Sequence, residues 1–513
     1  MQAWGDGYVT DIEYSDGFYA LQSPAHLRLA AALNGVITPD LTSEYTSCEL
    51  GCGKGKTALV LAAVNPQAEF HAVDFHPGHI AHARDRAEQA QLHNIKFHEY
   101  SFDEMTGPRG GGLPQFDVIT MHGVWSWIAP KLQSSIIEFI NARLKPGGLV
   151  YVSYNAMPAW NYMAPLQRVI KELANSVNSR SDLAITRVLG QIQRLADANI
   201  LPAKFHEGIK KIRDNADKVL QYVAHEYLND HWQPVYHADV ARAFAGAKMT
   251  FAASAEPLKN FYNLALTEEQ RTVLTEVASE EMRETLKDFC TDQWFREDVY
   301  VRGARHMHPA LRERMFAQQE LALVRPPPDI IEIGRPDGSK WRPDPVVYAE
   351  GVRALRKGPR RVADLLRLDG LPPGHPVSAV ELVGIMVGTG LAAIHGEPSP
   401  DQKDSAERLN ALLEADPEAG MHRGGTVAVP SIRSGLTLSA ADFALYLDFR
   451  RGRSTSPDSL ADRFMARCHA MGCHPVLDGK SYEDEAEGRL ALTREYQMKI
   501  DKFMPLWRSL GVV

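Results

Sequence analysis

From Thr46 to Asn155, short apolar runs alternate with amphipathic stretches, the rhythm of an open α/β sheet with helices between its strands. Strands are expected at Thr46–Gly51, Glu69–Phe75, Asn94–Phe102, Phe116–Gly123 and Leu149–Asn155. Helices are expected at Lys56–Val64, His79–His93 and Pro130–Leu144, the last stopped by the turn Lys145-Pro-Gly-Gly148. After Asn155 the period becomes helical, with amphipathic segments at Met163–Ala174 and Arg187–Ala198. Residues 205–325 read as mostly helical, without strand–helix alternation. The run Arg325-Pro-Pro-Pro-Asp329 and the Gly-, Pro- and charge-rich residues up to Asp344 read as a linker. A mixed, mainly helical region fills 345–513.

At 513 residues the chain is too long for one ordinary core, so several domains are expected. Apolar residues at 44% and charged ones at 23% exclude a disordered or fibrous class. The 56 basic against 64 acidic residues leave a formal charge of −8, so no nucleic-acid partner is expected. Five cysteines suit reduced thiols, and the N-terminus lacks a secretory pattern, so a cytoplasmic location is expected. The longest apolar stretch, Leu382 to Ile394, has 13 residues and is too short to span a bilayer.

The chemistry concentrates in Glu49-Leu-Gly51-Cys52-Gly53-Lys-Gly55, which closes the first strand and opens a helix. Glycines there let the backbone turn sharply and approach a ligand, and the helix start offers free amides. Counted from Gly51, the dinucleotide fingerprint would need a glycine where Lys56 stands. Counted from Gly53, only the looser form ending in Ala58 is met. A phosphate loop built on Gly55-Lys56-Thr57 would need its first glycine at Leu50. Asp74 closes the second strand, 25 residues after Glu49, where an acid can accept both hydroxyls of a ribose. Together these features point to an adenosine-containing cofactor, with Cys52 and Phe75 as further contacts. The third strand ends at Ser101-Phe102, where an adenine ring would lie. Ser101 would face the exocyclic amine there, or serve as a plain turn residue.

The strand–turn pattern resembles class I methyltransferases, and two blocks sharpen the likeness. Met121-His122-Gly-Val-Trp125-Ser-Trp127-Ile and Val152-Ser-Tyr154-Asn155-Ala-Met-Pro158-Ala-Trp160 resemble blocks of methyltransferases that carry a methyltransferase regulatory domain. Tyr19 with Ser23-Pro-Ala-His26-Leu27 resembles an N-terminal block of the same family, and His225-Glu-Tyr-Leu-Asn229 the start of its regulatory domain. Its best-known relatives are rickettsial lysine methyltransferases of outer-membrane proteins. Ala159 stands where the family usually has Gly, and Ser101 where many class I enzymes have Asp.

The resemblance implies a seven-stranded Rossmann-like sheet followed by mainly helical middle and C-terminal domains. It divides the chain into a helical cap over 1–35, a core over 36–165 completed by residues up to 205, a regulatory domain over 205–325, a linker over 326–344 and a C-terminal domain over 345–513. It also implies S-adenosylmethionine as cofactor. The acceptor would be a protein lysine, or a small molecule if the extension serves as lid or homodimer interface. A catalytically silent cofactor sensor is a third reading.

Methyl transfer is an in-line displacement, so the protein has to align a nucleophile and exclude water. Trp125, Trp127, Tyr154 and Trp160, at the ends of the fourth and fifth strands, would wall such a pocket, and His122 or Tyr154 would handle the proton. Metal chemistry is not expected. His225-Glu226 is followed by His231, which misses the H-E-x-x-H spacing, and Cys468-His469 with Cys473-His474 lacks a second cysteine pair. The basic run Arg353 to Arg361 reads as a solvated face.

Overall fold

The computed structural model describes residues 5, 7–12, 17–218, 220–415, 424–470, 472–477 and 480–513. Seven strands form one sheet: β1 (Thr46–Leu50), β2 (Glu69–Asp74), β3 (Ile95–Glu99), β4 (Phe116–Met121), β5 (Leu144–Asn155), β6 (Met249–Ser254) and β7 (Phe295–Arg302). Their order is β3-β2-β1-β4-β5-β7-β6. The first five pair in parallel, and β7 inserts antiparallel between β5 and β6. Leu50 pairs with Val73 on one side and Met121 on the other, so β1, β2 and β4 end level and their loops open at one edge. Ligands of open α/β sheets bind at that edge.

Helices α1 (Pro24–Leu33), α2 (Lys56–Val64), α3 (Pro77–Gln89) and α4 (Pro130–Arg143) flank the sheet. Lys56-Thr-Ala-Leu-Val-Leu-Ala-Ala-Val64 is apolar on every face after its first turn, as a helix covered on all sides should be. Thr57 to Val64 are indeed all buried. The sheet covers one side. Helix Pro400–Ala415 and the hairpin Gly425–Val429/Ser434–Leu438 pack from the other. Gln402 Nε2 donates to Val64 O at 2.9 Å and Arg408 Nε to Ala90 O at 3.1 Å, fastening this distant stretch to the core.

Four expectations are corrected. The sheet is not completed within residues up to 205, because β6 and β7 come from 249–302, the stretch read as helical. In Phe295-Arg-Glu-Asp-Val-Tyr-Val-Arg302 the buried Arg296 and Asp298 bond to each other, so the strand carries its charges inward. The turn Lys145–Gly148 sits inside β5, which begins at Leu144. Pairing jumps from Phe116↔Leu144 to Val118↔Leu149, looping out the residues around Gly147 at φ +80°. The segment 326–344 is no free linker: it forms the hairpin Ile333–Gly334/Lys340–Trp341 and buries Ile331 and Ile333. Strand Glu320–Leu323 also pairs with Arg360–Arg361 and Ala392–His395, so the sheet bonding crosses that segment. In the N-terminal stretch α1 and the turn Ala20–Gln22 are helical, while 1–4, 6 and 13–16 lie outside the described residues.

Candidate active site

Gly51, Gly53 and Gly55 all hold positive φ, at +71°, +54° and +79°. The amides of Gly51 and Cys52 donate to Val73 O at 2.8 and 3.0 Å, pinning the loop to the end of β2. A Cβ on Gly51 would meet Val124 at 2.6 Å, and one on Gly55 would meet Phe97 at 2.6 Å. A Cβ on Gly53 would meet nothing within 4 Å, and Gly53 lines the cleft above the loop. The outer glycines therefore serve the chain, and the middle one leaves room for a ligand. Gly17, Tyr19, Glu49, Thr57, His79 and His122 line the same cleft.

Asp74 anchors the loop from the side. Its Oδ2 accepts from the Gly53 amide at 2.9 Å, and its Oδ1 accepts from the His76 amide at 2.9 Å and lies 3.3 Å from His79 Nδ1. Carboxylate oxygens have lone pairs to spare for ribose hydroxyls. Glu49 is buried beside it, with Oε1 accepting from Gln22 Nε2 at 3.2 Å. Burial pushes its pKa up to about 8 against that bond and one from the Ala58 amide, with Asp74 adding repulsion.

His122, at the end of β4, stacks on Tyr19 with ring centroids 3.8 Å apart. Its Nδ1 lies 2.7 Å from Tyr151 Oη, and Tyr151 donates to Glu297 Oε1 at 2.9 Å. A tyrosine has one proton to give, so its oxygen accepts from His122 Nδ1–H and the lone pair falls to Nε2. Burial lowers the His122 pKa to about 3, so the ring is neutral at physiological pH.

The other expected residues divide. Trp125 is buried in the core against Phe244, with centroids 5.2 Å apart, and does not line the cleft. Tyr154 is fully buried too: its hydroxyl donates to Asp298 Oδ2 at 2.6 Å and lies 3.2 Å from His237 Nδ1. It belongs to an ion network in which Arg296 binds Glu284, Asp288 and Asp298. A strand-end aromatic can face either side of the sheet, and the block alone did not say which. Ser101 bonds its own turn, through Oγ to Asp103 Oδ1 at 2.6 Å and its amide to Glu104 Oε2 at 2.9 Å. Phe102 packs beside Gly51, and Phe75 lies against Tyr8 at 5.9 Å. Cys52 lines the cleft, and burial pushes its thiol well above the usual range.

Trp160 sits in an aromatic cluster with Trp232 and Trp294, at 5.2 and 5.1 Å between centroids, and its Nε1 donates to Trp294 O at 2.9 Å. Sequence reading missed Trp232 and Trp294, along with Tyr151, Glu297 and Glu226. The first two were legible only as isolated tryptophans more than seventy residues downstream. Glu226 stood in a rejected metal motif.

The open face at Gly53 and the two carboxylates of Asp74 and Glu49 fit a ligand with ribose hydroxyls and an ammonium group. Comparison with known proteins agrees. Residues 48–150 match the family model of a methyltransferase domain, and residues 220–302 that of a predicted methyltransferase regulatory domain. An uncharacterized protein of Synechocystis sp. is 28% identical over 517 residues, covering 99% of each chain. An uncharacterized protein of Rickettsia prowazekii is 28% identical over 224 residues, 43% of this chain and 86% of its own. The structure of PKMT2 from Rickettsia typhi superposes with a TM-score of 0.64 at 16% identity, over 96% of this chain and 99% of that one. Its complex with AdoHcy superposes at 0.63 and 16% identity, over 97% and 99%. The chain is an S-adenosylmethionine-dependent methyltransferase of the class I fold that also carries a methyltransferase regulatory domain.

Proposed function

We propose that this methyltransferase N-methylates the side-chain amine of lysine in a protein. The observation that carries the reading is the neutral His122, fixed by Tyr151 and stacked on Tyr19 at the mouth of the cofactor loop. When bound, S-adenosylmethionine supplies a methyl carbon on a sulfonium, which the amine nitrogen takes up as the C–S bond breaks. The chain's own task is to keep that nitrogen uncharged and aligned. A buried, aromatic pocket disfavours the ammonium form by desolvating it, which lowers the amine pKa from its usual ~10.4. His122 Nε2, too weakly basic to carry a proton at neutral pH, accepts one N–H and so turns the nitrogen lone pair toward the methyl carbon.

Likeness to rickettsial lysine methyltransferases supports the choice of acceptor. The middle region 205–325 and the C-terminal region 345–513 would then offer docking area for a protein substrate. Incubation with methyl-labelled cofactor and a panel of proteins, followed by mapping of the label, tests the reading. Label on lysine is expected. Label confined to a small metabolite overturns it.

A further inference from the structure

We propose that Glu226, on helix Leu220–Leu228 of the regulatory segment, is the carboxylate that receives the acceptor amine, so that the regulatory domain completes the active site. This rests on the amine reading above. Glu226 is buried, yet among the described residues it forms no ion pair with Lys, Arg or His. What holds it is neutral. Asn155 Nδ2 and Trp232 Nε1 both donate to its Oε1, at 2.9 and 3.2 Å, and Trp127 adds a third bond.

A buried carboxylate without a countercharge is costly, and neutral donors recover only part of its lost hydration. The same chain region shows what a satisfied group looks like: Glu284, equally buried, binds both Lys287 and Arg296. Glu226 lacks such a cation, and an alkylammonium would supply one.

Its position suits that role. Asn155 ends β5, and its amide is fixed by Ser126 Oγ at 3.0 Å, so Glu226 is tied to the same strand ends that carry His122. Tyr8 bridges to the cofactor side, its ring 5.9 Å from Phe75 and 5.5 Å from His225, the neighbour of Glu226 in sequence. Trp127, Trp232 and, through Trp232, Trp160 supply aromatic surfaces that attract a cation.

Burial also pushes the Glu226 pKa up to about 7. The same dry surroundings push an entering ammonium down, so burial narrows the gap between the two groups against the mutual attraction that would widen it. One N–H proton then passes to the carboxylate oxygen, leaving an uncharged amine and an uncharged acid. The freed nitrogen lone pair becomes available for the methyl carbon.

The test uses the full-length protein saturated with S-adenosylhomocysteine, with n-butylammonium as probe and tryptophan fluorescence as readout. Wild type should bind the probe saturably. Glu226→Gln should bind it at least tenfold more weakly, while S-adenosylhomocysteine affinity by calorimetry stays within threefold. Glu226→Asp, which keeps the charge, should recover most of the binding. Equal probe affinity in wild type and Glu226→Gln, or no binding to wild type, overturns the proposal.

If Glu226→Gln does not fold, the pH dependence in wild type decides. Binding should tighten as pH rises through about 7, where the carboxylate ionises. A flat response between pH 5.5 and 8.5 overturns the proposal. The groups facing Glu226 are His225 on its own helix, Tyr222 and Tyr227 beside it and Tyr8 from the N-terminal segment, and all three tyrosines are held far above this window. Repeating the titration with His225→Phe separates the histidine. Glu226-dependent probe binding without any labelled lysine would keep this assignment and sink the lysine reading alone.

Discussion

Gly53 and Gly55 sit two residues apart in one loop, both at positive φ, and alanine should harm them in opposite ways. At Gly55 the added Cβ meets Phe97 of β3 at 2.6 Å and Ala83 of α3 at 3.0 Å, where the start of α2 packs against both. Left-handed backbone costs an L-residue about 1–2 kcal/mol, and overpacking a core adds roughly 1–3. Gly55→Ala should therefore lose about 2–5 kcal/mol of stability. At Gly53 nothing lies within 4 Å of the added carbon, so only the backbone cost of about 1–2 kcal/mol remains. That carbon projects into the cleft, however, where the cofactor would lie against the backbone. Gly53→Ala should keep most of its stability and lose at least tenfold in affinity, which is about 1.4 kcal/mol. Chemical denaturation gives the first quantity and calorimetry with S-adenosylhomocysteine the second. Gly53→Ala with unchanged affinity, or Gly55→Ala with unchanged stability, would refute the division of labour within the loop.

Four further outcomes follow from the same geometry. Asp74→Ala removes the partner of two loop amides and the acid proposed to hold the ribose; at about 1.5–3 kcal/mol per charged hydrogen bond, S-adenosylhomocysteine affinity should fall at least ~30-fold by calorimetry. Glu49, with its pKa pushed up to about 8, must shed a proton to meet an ammonium group. Cofactor affinity should thus rise with pH up to about 8 and level off above it, and Glu49→Gln should flatten the curve. Tyr151→Phe releases the His122 ring, so kcat should drop about 10–100-fold while S-adenosylhomocysteine affinity holds within threefold. Arg296→Met strips the cation from three buried acids and should cost at least 3–5 kcal/mol in denaturation. On the acid side, burial would raise Asp298, but Arg296 outweighs it and holds the pKa down to about 2. The stability it contributes is then complete above the ordinary carboxylate range and disappears as pH falls through about 2, a loss the Arg296→Met variant should lack.

Much of this was legible in the sequence because the parallel part of the sheet is written locally. β1, β2 and β4 are short, almost wholly buried strands, and the loops after β1 and β2 carry the glycines and acids that gave the cleft away. Glu49, Gly51, Gly53, Asp74 and His122 were all named from the sequence, and Glu49, Gly51, Gly53 and His122 line one cleft while Asp74 holds its loop. β7 was hidden because Arg296 and Asp298 neutralise each other inside the protein. A charge pattern cannot reveal such pairing before the partners are known. The aromatics failed in the same way: Trp125 and Tyr154 share the strand ends with His122, but their side chains turn into the core and into the ion network.

Helix α2 holds one message that was present and unread. A surface helix of this fold would need a polar face, and Thr57 to Val64 provide none. The missing polarity is answered by residues 400–438, which bury Ala406, Leu409 and Ala428 in the same cluster as Leu59, Val60 and Val64. The glycine loop is the N-terminal cap of α2, so whatever covers that helix also holds the cofactor loop in place. The pattern of α2 thus ties the far end of the chain to the first step of binding. The C-terminal stretch is a wall of the methyltransferase core and not a detachable appendage. Removing it would expose a contiguous apolar face directly behind Gly55, and cofactor affinity would fall together with solubility.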